Sequence, residues 1–249
     1  MGFFNRLFGN SSEEEIFPFS ISQIKTDIHS HLIPGIDDGS QSMDQTIAML
    51  AKFEMMGFKK VITTPHIMSD LFPNTPKIIL EGLEKVREEI HSLGMNIAIE
   101  AAAEYYFDET LLPKIKKKEL LTFGDQYVLI EFGFHSPPQY LDELFYDLQS
   151  SGYRIVIAHF ERYLYYLGRV DKAIEWRQKG INIQLNLNSL LGNYGPEIRK
   201  QAEALIDNQA IDFVGTDCHR IEHLGLLEET IKLKYFHKLN QISLKNRTL

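Results

Sequence analysis

The sequence predicts an α/β fold whose parallel sheet closes into a barrel, and three observations carry that expectation. Strand-like and helix-like segments alternate seven times with short connections, the pattern of a parallel sheet. A chain of 249 residues fits one α/β barrel domain, a class that commonly runs to about 250 residues. Histidines and carboxylates fall at the C-terminal ends of the predicted strands, the face where such barrels build their sites. An open sheet would have difficulty bringing strands one, two, three, five and seven to a single centre.

In chain order, the strand candidates are Ile24–His31, Lys60–His66, Asn96–Tyr106, Tyr127–Glu131, Arg154–His159, Ile181–Asn188 and Asp212–His219. The clearest helical pattern is Pro196–Gln209, where Ile198, Ala202, Leu205 and Ile206 share a face and proline stands at the start. Ser42–Met56, Thr75–Leu93 and Pro138–Ser151 read the same way, with Gly57, Gly94 and Gly152 where helix C-caps belong. With no linker, low-complexity tract or fixed-period repeat, the expected organisation is an N-terminal tail (1–20) and one domain (21–249).

Composition narrows the function. A net charge of −8 argues against a nucleic-acid surface, whose footprint is usually basic. An acidic protein that binds phosphate needs strong local positive charge, which divalent cations would supply. One cysteine excludes an internal disulfide framework and suits a reducing cytoplasm. No apolar run approaches the ~20 residues of a membrane span, so stable membrane insertion is not expected. The apolar stretch Met1–Gly9 is too short for a secretory signal, and Arg6 breaks the myristoylation pattern.

The chemistry is concentrated in Asp27-Ile28-His29-Ser30-His31, followed by Asp38 and answered by Asp217-Cys218-His219. Histidines at i and i+2 on a strand point the same way. The opening and closing strands can therefore aim imidazole and carboxylate at one point. His29, His31 and Asp217 would suit one Zn, Mn or Fe ion, and Asp38, His66 and His219 another. Glu104 follows Ala101-Ala102-Ala103, a small run that lets a metal approach closely, and its carboxylate can bridge two ions. His159 ends the apolar strand Ile155-Val156-Ile157-Ala158. A single histidine at a strand end is usually structural, but five of the nine falling there is a pattern. His91 and His237 read as surface residues, His135 and His223 as loop residues near the active face. Cys218 lies between two candidate ligands and should face the core.

Together these residues resemble the PHP (polymerase and histidinol phosphatase) superfamily, and within it the metal-dependent tyrosine-protein phosphatases of bacterial capsular and exopolysaccharide systems. The matching segments run from about residue 24 to 220: Asp27–His31, Asp37-Asp38-Gly39, Thr63–His66, Ala103–Tyr106, Leu129–Phe132, Ile157–Tyr163 and Thr216–His219. The resemblance implies a distorted seven-stranded (β/α)7 barrel with three ions, most readily Mn2+, with Fe or Zn as alternatives. His29, His31, Glu104 and Asp217 would hold the first ion. Glu104 would bridge to a second carried by His159, and Asp38, His66 and His219 would hold the third. Arg162 would recognise phosphate, with a metal-bound hydroxide as nucleophile; without the match, a salt bridge to Glu161 would be its ordinary role.

The implied function is hydrolysis of phosphotyrosine on protein. The implied partner is the tyrosine-rich tail of a bacterial autokinase controlling exopolysaccharide synthesis. Histidinol-phosphate hydrolysis is the alternative within the superfamily, and a non-catalytic metal-binding scaffold the alternative of another class. The chain departs from relatives at Ile67 and Arg220, and lacks a further arginine after the last motif; Arg220 or His223 could take over phosphate contacts. Tyr105, Tyr106, Tyr163, Tyr165 and Tyr166 are candidates for the wall of the substrate entrance.

Overall fold

Nine short strands and eight α-helices are found among residues 17–249, which the computed structural model describes. The strands are β1 (Thr26–Asp27), β2 (Lys60–Thr63), β3 (His66–Ile67), β4 (Ala98–Ala101), β5 (Glu104–Tyr106), β6 (Tyr127–Glu131), β7 (Arg154–Ile157), β8 (Asn182–Asn186) and β9 (Phe213–Gly215). All pair in parallel, in the orders β1-β2-β4 and β3-β5-β6-β7-β8-β9.

Two of the expected strands are each divided, giving β2 with β3 and β4 with β5. The first break falls at Thr64-Pro65, where proline offers no N–H to a ladder; the facing break is Ala102-Ala103. Hydrogen bonds from Ala102 N to Thr63 O (2.9 Å) and Glu104 N to Pro65 O (3.1 Å) carry the pairing across both. At the other side, Ser30 bridges Cys218 in parallel. His31 N donates to Cys218 O and Asp217 N to His29 O, both at 2.8 Å. First and last strands are thus neighbours at their C-terminal ends.

The helices are α1 (Met43–Met56), α2 (Pro76–Ser92), α3 (Leu111–Lys117), α4 (Leu141–Ser150), α5 (Val170–Gln178), α6 (Pro196–Asp207), α7 (Ile221–Thr230) and α8 (Lys234–Lys238). Their ends follow local chemistry. Ser42 and Thr75 accept from the backbone N–H three residues on, at 3.3 Å each, and Gly57, with φ of 99°, closes α1. The expected Pro138–Ser151 helix begins only at Leu141, because Tyr140 is left-handed at φ of 59°. Beyond the four expected helices the structure adds α3, α5, α7 and α8. α5 is largely polar and buries only Ala173 and Trp176, while α3 is seven residues long and contains Pro113.

Inside the strands lies a cluster of Ile28, Ile62, Ala102, Leu129, Val156 and Phe213, floored by Phe123 and Tyr127. A larger apolar layer lies between strands and helices, including Leu83 and Val86 of α2, Leu144 and Leu148 of α4, and Leu205 of α6. Each fully buried side chain of this size stabilises the fold by roughly 1.5–3 kcal/mol. Cys218 faces this layer as expected, its Sγ 3.7 Å from Met49 Sδ. Residues 1–16, most of the expected tail, lie outside the described residues; near the tail's end, Phe19 is buried with its ring 5.3 Å from that of Phe236.

Phe213 is fully buried and meets Tyr127 edge to face at 5.1 Å. Phe213→Ala should cost about 3–5 kcal/mol, read as a lower urea midpoint with an unchanged slope. A loss under about 1 kcal/mol would contradict the packing described.

Candidate metal centre

Strand geometry delivers the polar residues to one end. His29 and His31 extend from β1 on the same side, and the register pairs His66 with Glu104. Glu131 ends β6, His159 follows β7 by two residues, and Asp217 and His219 follow β9. His159 and Asp217 have positive φ, 29° and 51°, a strained conformation for residues with a Cβ. Two glycines admit the close approach. A Cβ on Gly39 would lie 2.3 Å from His31 Cβ, and one on Gly215 would lie 2.7 Å from His29 Cβ.

Glu104 is the hub. Its Oε2 lies 3.1 Å from His29 Nε2, 3.4 Å from His31 Nε2 and 3.2 Å from His66 Nδ1, while Oε1 lies 3.1 Å from His159 Nε2. Asp217 Oδ1 approaches His29 Nε2 at 3.4 Å, His31 Nε2 at 3.6 Å and His219 Nδ1 at 3.4 Å. Asp38 Oδ1 faces His66 Nε2 at 3.6 Å and His219 Nε2 at 3.4 Å. All eight residues expected as ligands therefore meet around this end of the sheet.

Four residues outside the expected ligand set, Glu131, Asp37, Gln184 and Asn186, complete the arrangement. Glu131 Oε1 lies 3.4 Å from His159 Nε2 and Oε2 lies 3.9 Å from His66 Nδ1, so Glu131 belongs among the candidate ligands. Its place at a strand C-terminus was a usable signal. Asp37 Oδ2 is 2.7 Å from His31 Nδ1, and Gln184 Oε1 is 3.1 Å from His29 Nδ1 and accepts from His159 N at 2.7 Å. Asn186 Nδ2 donates to Asp217 Oδ2 at 3.1 Å. These contacts fix the rings and carboxylates from behind, as the partners of metal ligands commonly do. Gln184 and Asn186 lie inside a buried strand, so nothing in the local sequence distinguishes them.

Electrostatics follow from crowding in a dry site. Burial opposes the imidazolium form of His29 and His31, but Glu104 with Asp217, and Asp37 with Glu104, overcome it and raise both pKa values. At His159, burial and Arg162 oppose the charge, yet Glu104 and Glu131 hold its pKa at about 9. His66 goes the other way, lowered chiefly by burial. The His219 imidazole 3.4 Å away takes Asp38 down to about 2. For Glu104, burial is outweighed by His29, His66 and His159, which keep the carboxylate ionised.

A divalent ion fits this donor set. His29 Nε2, His31 Nε2, His66 Nδ1 and His159 Nδ1 are buried with no hydrogen-bond partner among the described residues. Unpaired buried polar atoms are costly. The first three aim at carboxylate oxygens within 3.4 Å without forming a hydrogen bond, an arrangement a cation would satisfy.

Arg162 donates from Nη1 to Asp217 Oδ2 at 2.7 Å. Glu161 is turned inward instead, accepting from Ser189 Oγ and Asn186 N. The site opens into a cavity of about 510 Å3 lined by Asp38, His66, Glu104, Glu131, His159, Arg162, Asp217 and His219. Its aromatic walls are Phe72, Phe134 and Tyr194. The five tyrosines suggested by sequence do not line it: Tyr105 and Tyr163 are buried, their hydroxyls accepting from Leu121 N and Phe132 N. His223 lines the cavity and accepts from His219 N through Nδ1 at 3.3 Å, and Arg220 lies on the same wall. His91 and His135 are exposed, and His237 accepts from Phe19 N.

Clustered imidazoles and carboxylates at the C-terminal mouth of a parallel sheet, beside a cavity-facing arginine, form a candidate site for divalent cations. The chain belongs to the capsular polysaccharide synthesis CpsB/CapC family, whose model matches residues 25–236. It is 29% identical to the tyrosine-protein phosphatase YwqE of Bacillus subtilis over 90% of this chain and 92% of that protein. It is 28% identical to the tyrosine-protein phosphatase CpsB of Streptococcus pneumoniae over 79% and 83%. Among solved structures, one from work on YwqE and CpsB as metal-dependent tyrosine phosphatases superposes with a TM-score of 0.78, at 26% identity and covering 90% of each chain. A Listeria monocytogenes structure provisionally assigned as a histidinol phosphatase shares the fold alone, at 11% identity and a TM-score of 0.50.

Because the pKa values of His29, His31 and His159 are raised, metal loading must expel protons. Titration with Mn2+ at pH 7 should release protons, and affinity should weaken as pH falls from 8 to 6. Calorimetry in buffers of different ionisation enthalpy checks this. Identical heats in Tris and in a buffer of low ionisation enthalpy would contradict it.

Proposed function

We propose that this chain is a metal-dependent tyrosine-protein phosphatase, and that its site acts on phosphotyrosine in proteins. The observation that carries the reading is the convergence of four buried imidazoles on Glu104 at the floor of a cavity bordered by Arg162. The nine strand segments are read as a distorted seven-stranded barrel, with β2–β3 and β4–β5 each counted once. His29, His31, Glu104 and Asp217 would hold one ion, and Glu104 with His159 and Glu131 a second. Asp38, His66 and His219 would hold a third.

Bound cations supply a nucleophile at neutral pH by lowering the pKa of water, and neutralise charge on phosphoryl oxygens. Manganese is the proposed ion: His and carboxylate ligands accept Mn, Fe and Zn alike, and the four carboxylates Asp38, Glu104, Glu131 and Asp217 suit Mn. The protein's own groups do the rest. Arg162 suits phosphoryl oxygens because its planar fork presents paired donors. Phe72, Phe134 and Tyr194 give the cavity the apolar walls that an aryl group needs. A phenol leaves with a pKa near ~10, so a strong general acid is less necessary than for an alkyl ester.

The proposed partner is a phosphotyrosine-bearing protein, a bacterial tyrosine kinase of polysaccharide export, met in the cytoplasm. Among the described residues no helix is long and apolar enough to cross a membrane. The deciding comparison is kcat/KM for a phosphotyrosyl peptide and for histidinol phosphate, in Mn-replete protein with a chelated control. A chelator-sensitive preference for the peptide is expected. Preference for histidinol phosphate would move the site to small alkyl esters, and turnover indifferent to chelation would refute the metal centre.

A further inference from the structure

Arg162 is held by two aromatic rings and a carboxylate. Its guanidinium carbon lies 4.5 Å from the centroid of the Phe134 ring and 4.6 Å from that of Tyr194. Cations at such distances from aromatic faces are attracted to them, and stacking suits the flat guanidinium. The two rings come from separate parts of the chain, Phe134 just after β6 and Tyr194 in the Gly192–Gly195 turn before α6. Both line the cavity that holds Arg162.

The same group is tied at one corner. Nη1 donates to Asp217 Oδ2 at 2.7 Å, and that oxygen also receives Asn186 Nδ2 at 3.1 Å. Asn186 Nδ2 in turn lies 3.3 Å from the Tyr194 hydroxyl, to which it donates. Asp217 Oδ1 is left facing His29, His31 and His219. Nε and Nη2 of Arg162 make no hydrogen bond among the described residues. A flexible arginine would lose rotamer entropy each time it bound an anion. One whose plane is already fixed would lose little.

We propose that Phe134 and Tyr194 are positioning residues, a two-ring clamp that presets the Arg162 guanidinium so that Nε and Nη2 are free to receive phosphoryl oxygens. Its functional consequence rests on the phosphatase reading above, while the clamp itself is a property of the protein at rest. Tyr194 has a second role in the network, since its hydroxyl holds Asn186 against Asp217. Tyr194→Phe would keep the clamp and lose only that contact.

The test joins two readouts on the full chain. The first is 15N NMR of arginine side chains without added metal. The Arg162 Nε–Hε signal should be shifted upfield by the two rings, should move toward ordinary arginine values in Tyr194→Ala, and should stay in Tyr194→Phe. The second is kinetic, in Mn-replete protein. Tyr194→Ala should raise both KM for a phosphotyrosyl peptide and Ki for inorganic phosphate about tenfold over Tyr194→Phe, the size of one cation–π contact, with the same Mn2+ affinity in both variants because both lose the hydroxyl contact to Asn186. Tyr194→Phe should restore most of the loss. In an Arg162→Ala background, Tyr194→Ala and Tyr194→Phe should have the same Ki, because the ring acts through the arginine. An Arg162 signal unmoved by Tyr194→Ala overturns the clamp, as does a Ki penalty equally large without Arg162. A ring-shifted signal in a protein with no phosphatase turnover supports the clamp and overturns only the phosphatase reading.

Discussion

One buried carboxylate organises this molecule. Glu104, 1% exposed, faces His29, His31 and His66 through one oxygen and His159 through the other. A carboxylate in so dry a place is tolerated only when paired or bound to cations. The imidazoles around it are themselves short of partners, and their unpaired nitrogens remain at the centre of the fold. That imbalance is the mark of a site completed by metal, and the surrounding structure is arranged to sustain it.

The backbone serves the same end. Short ladders give way, just where ligands are needed, to segments free to turn. Pro65 and the Ala102-Ala103 pair interrupt the strands carrying His66 and Glu104, while hydrogen bonds across the gap hold their register. His159 and Asp217 take positive φ two residues after β7 and β9. Such strain persists when surrounding contacts over-determine it, and Gln184 and Asn186 supply some of those contacts from the strand between. Below the site, Ile28, Ile62, Leu129, Val156 and Phe213 fill the interior with buried apolar side chains, so the polar mouth rests on an apolar floor.

Much of this was legible in the chain. Alternation of strand and helix patterns located the parallel ladders, and the i, i+2 histidines with their distant carboxylates located the candidate centre. The helix ends at Gly57, Gly94 and Gly152 were readable because each needs positive φ. Three kinds of feature were not. The split strands depend on how Pro65 meets Ala102-Ala103 across the sheet, a tertiary relation. Gln184 and Asn186 read as ordinary residues of a buried strand, and their work is visible only once His29, His159 and Asp217 lie beside them. The tyrosine run Tyr163–Tyr166 suggested a substrate wall, but Tyr163 is buried and its hydroxyl accepts from Phe132 N, while Phe72, Phe134 and Tyr194 line the cavity instead. Glu131 belongs between these cases. Its strand-end position carried the same signal as Glu104, within a short motif that reads first as buried strand.

The most direct test of the central claim is an anomalous difference map from a crystal grown with Mn2+, with data collected on both sides of the manganese absorption edge. The account predicts more than one peak, with Glu104 shared between two of them and the inner nitrogens of His29, His31 and His159 turned toward the metal. A fully ordered site with no anomalous peak within bonding distance of Glu104 would contradict it.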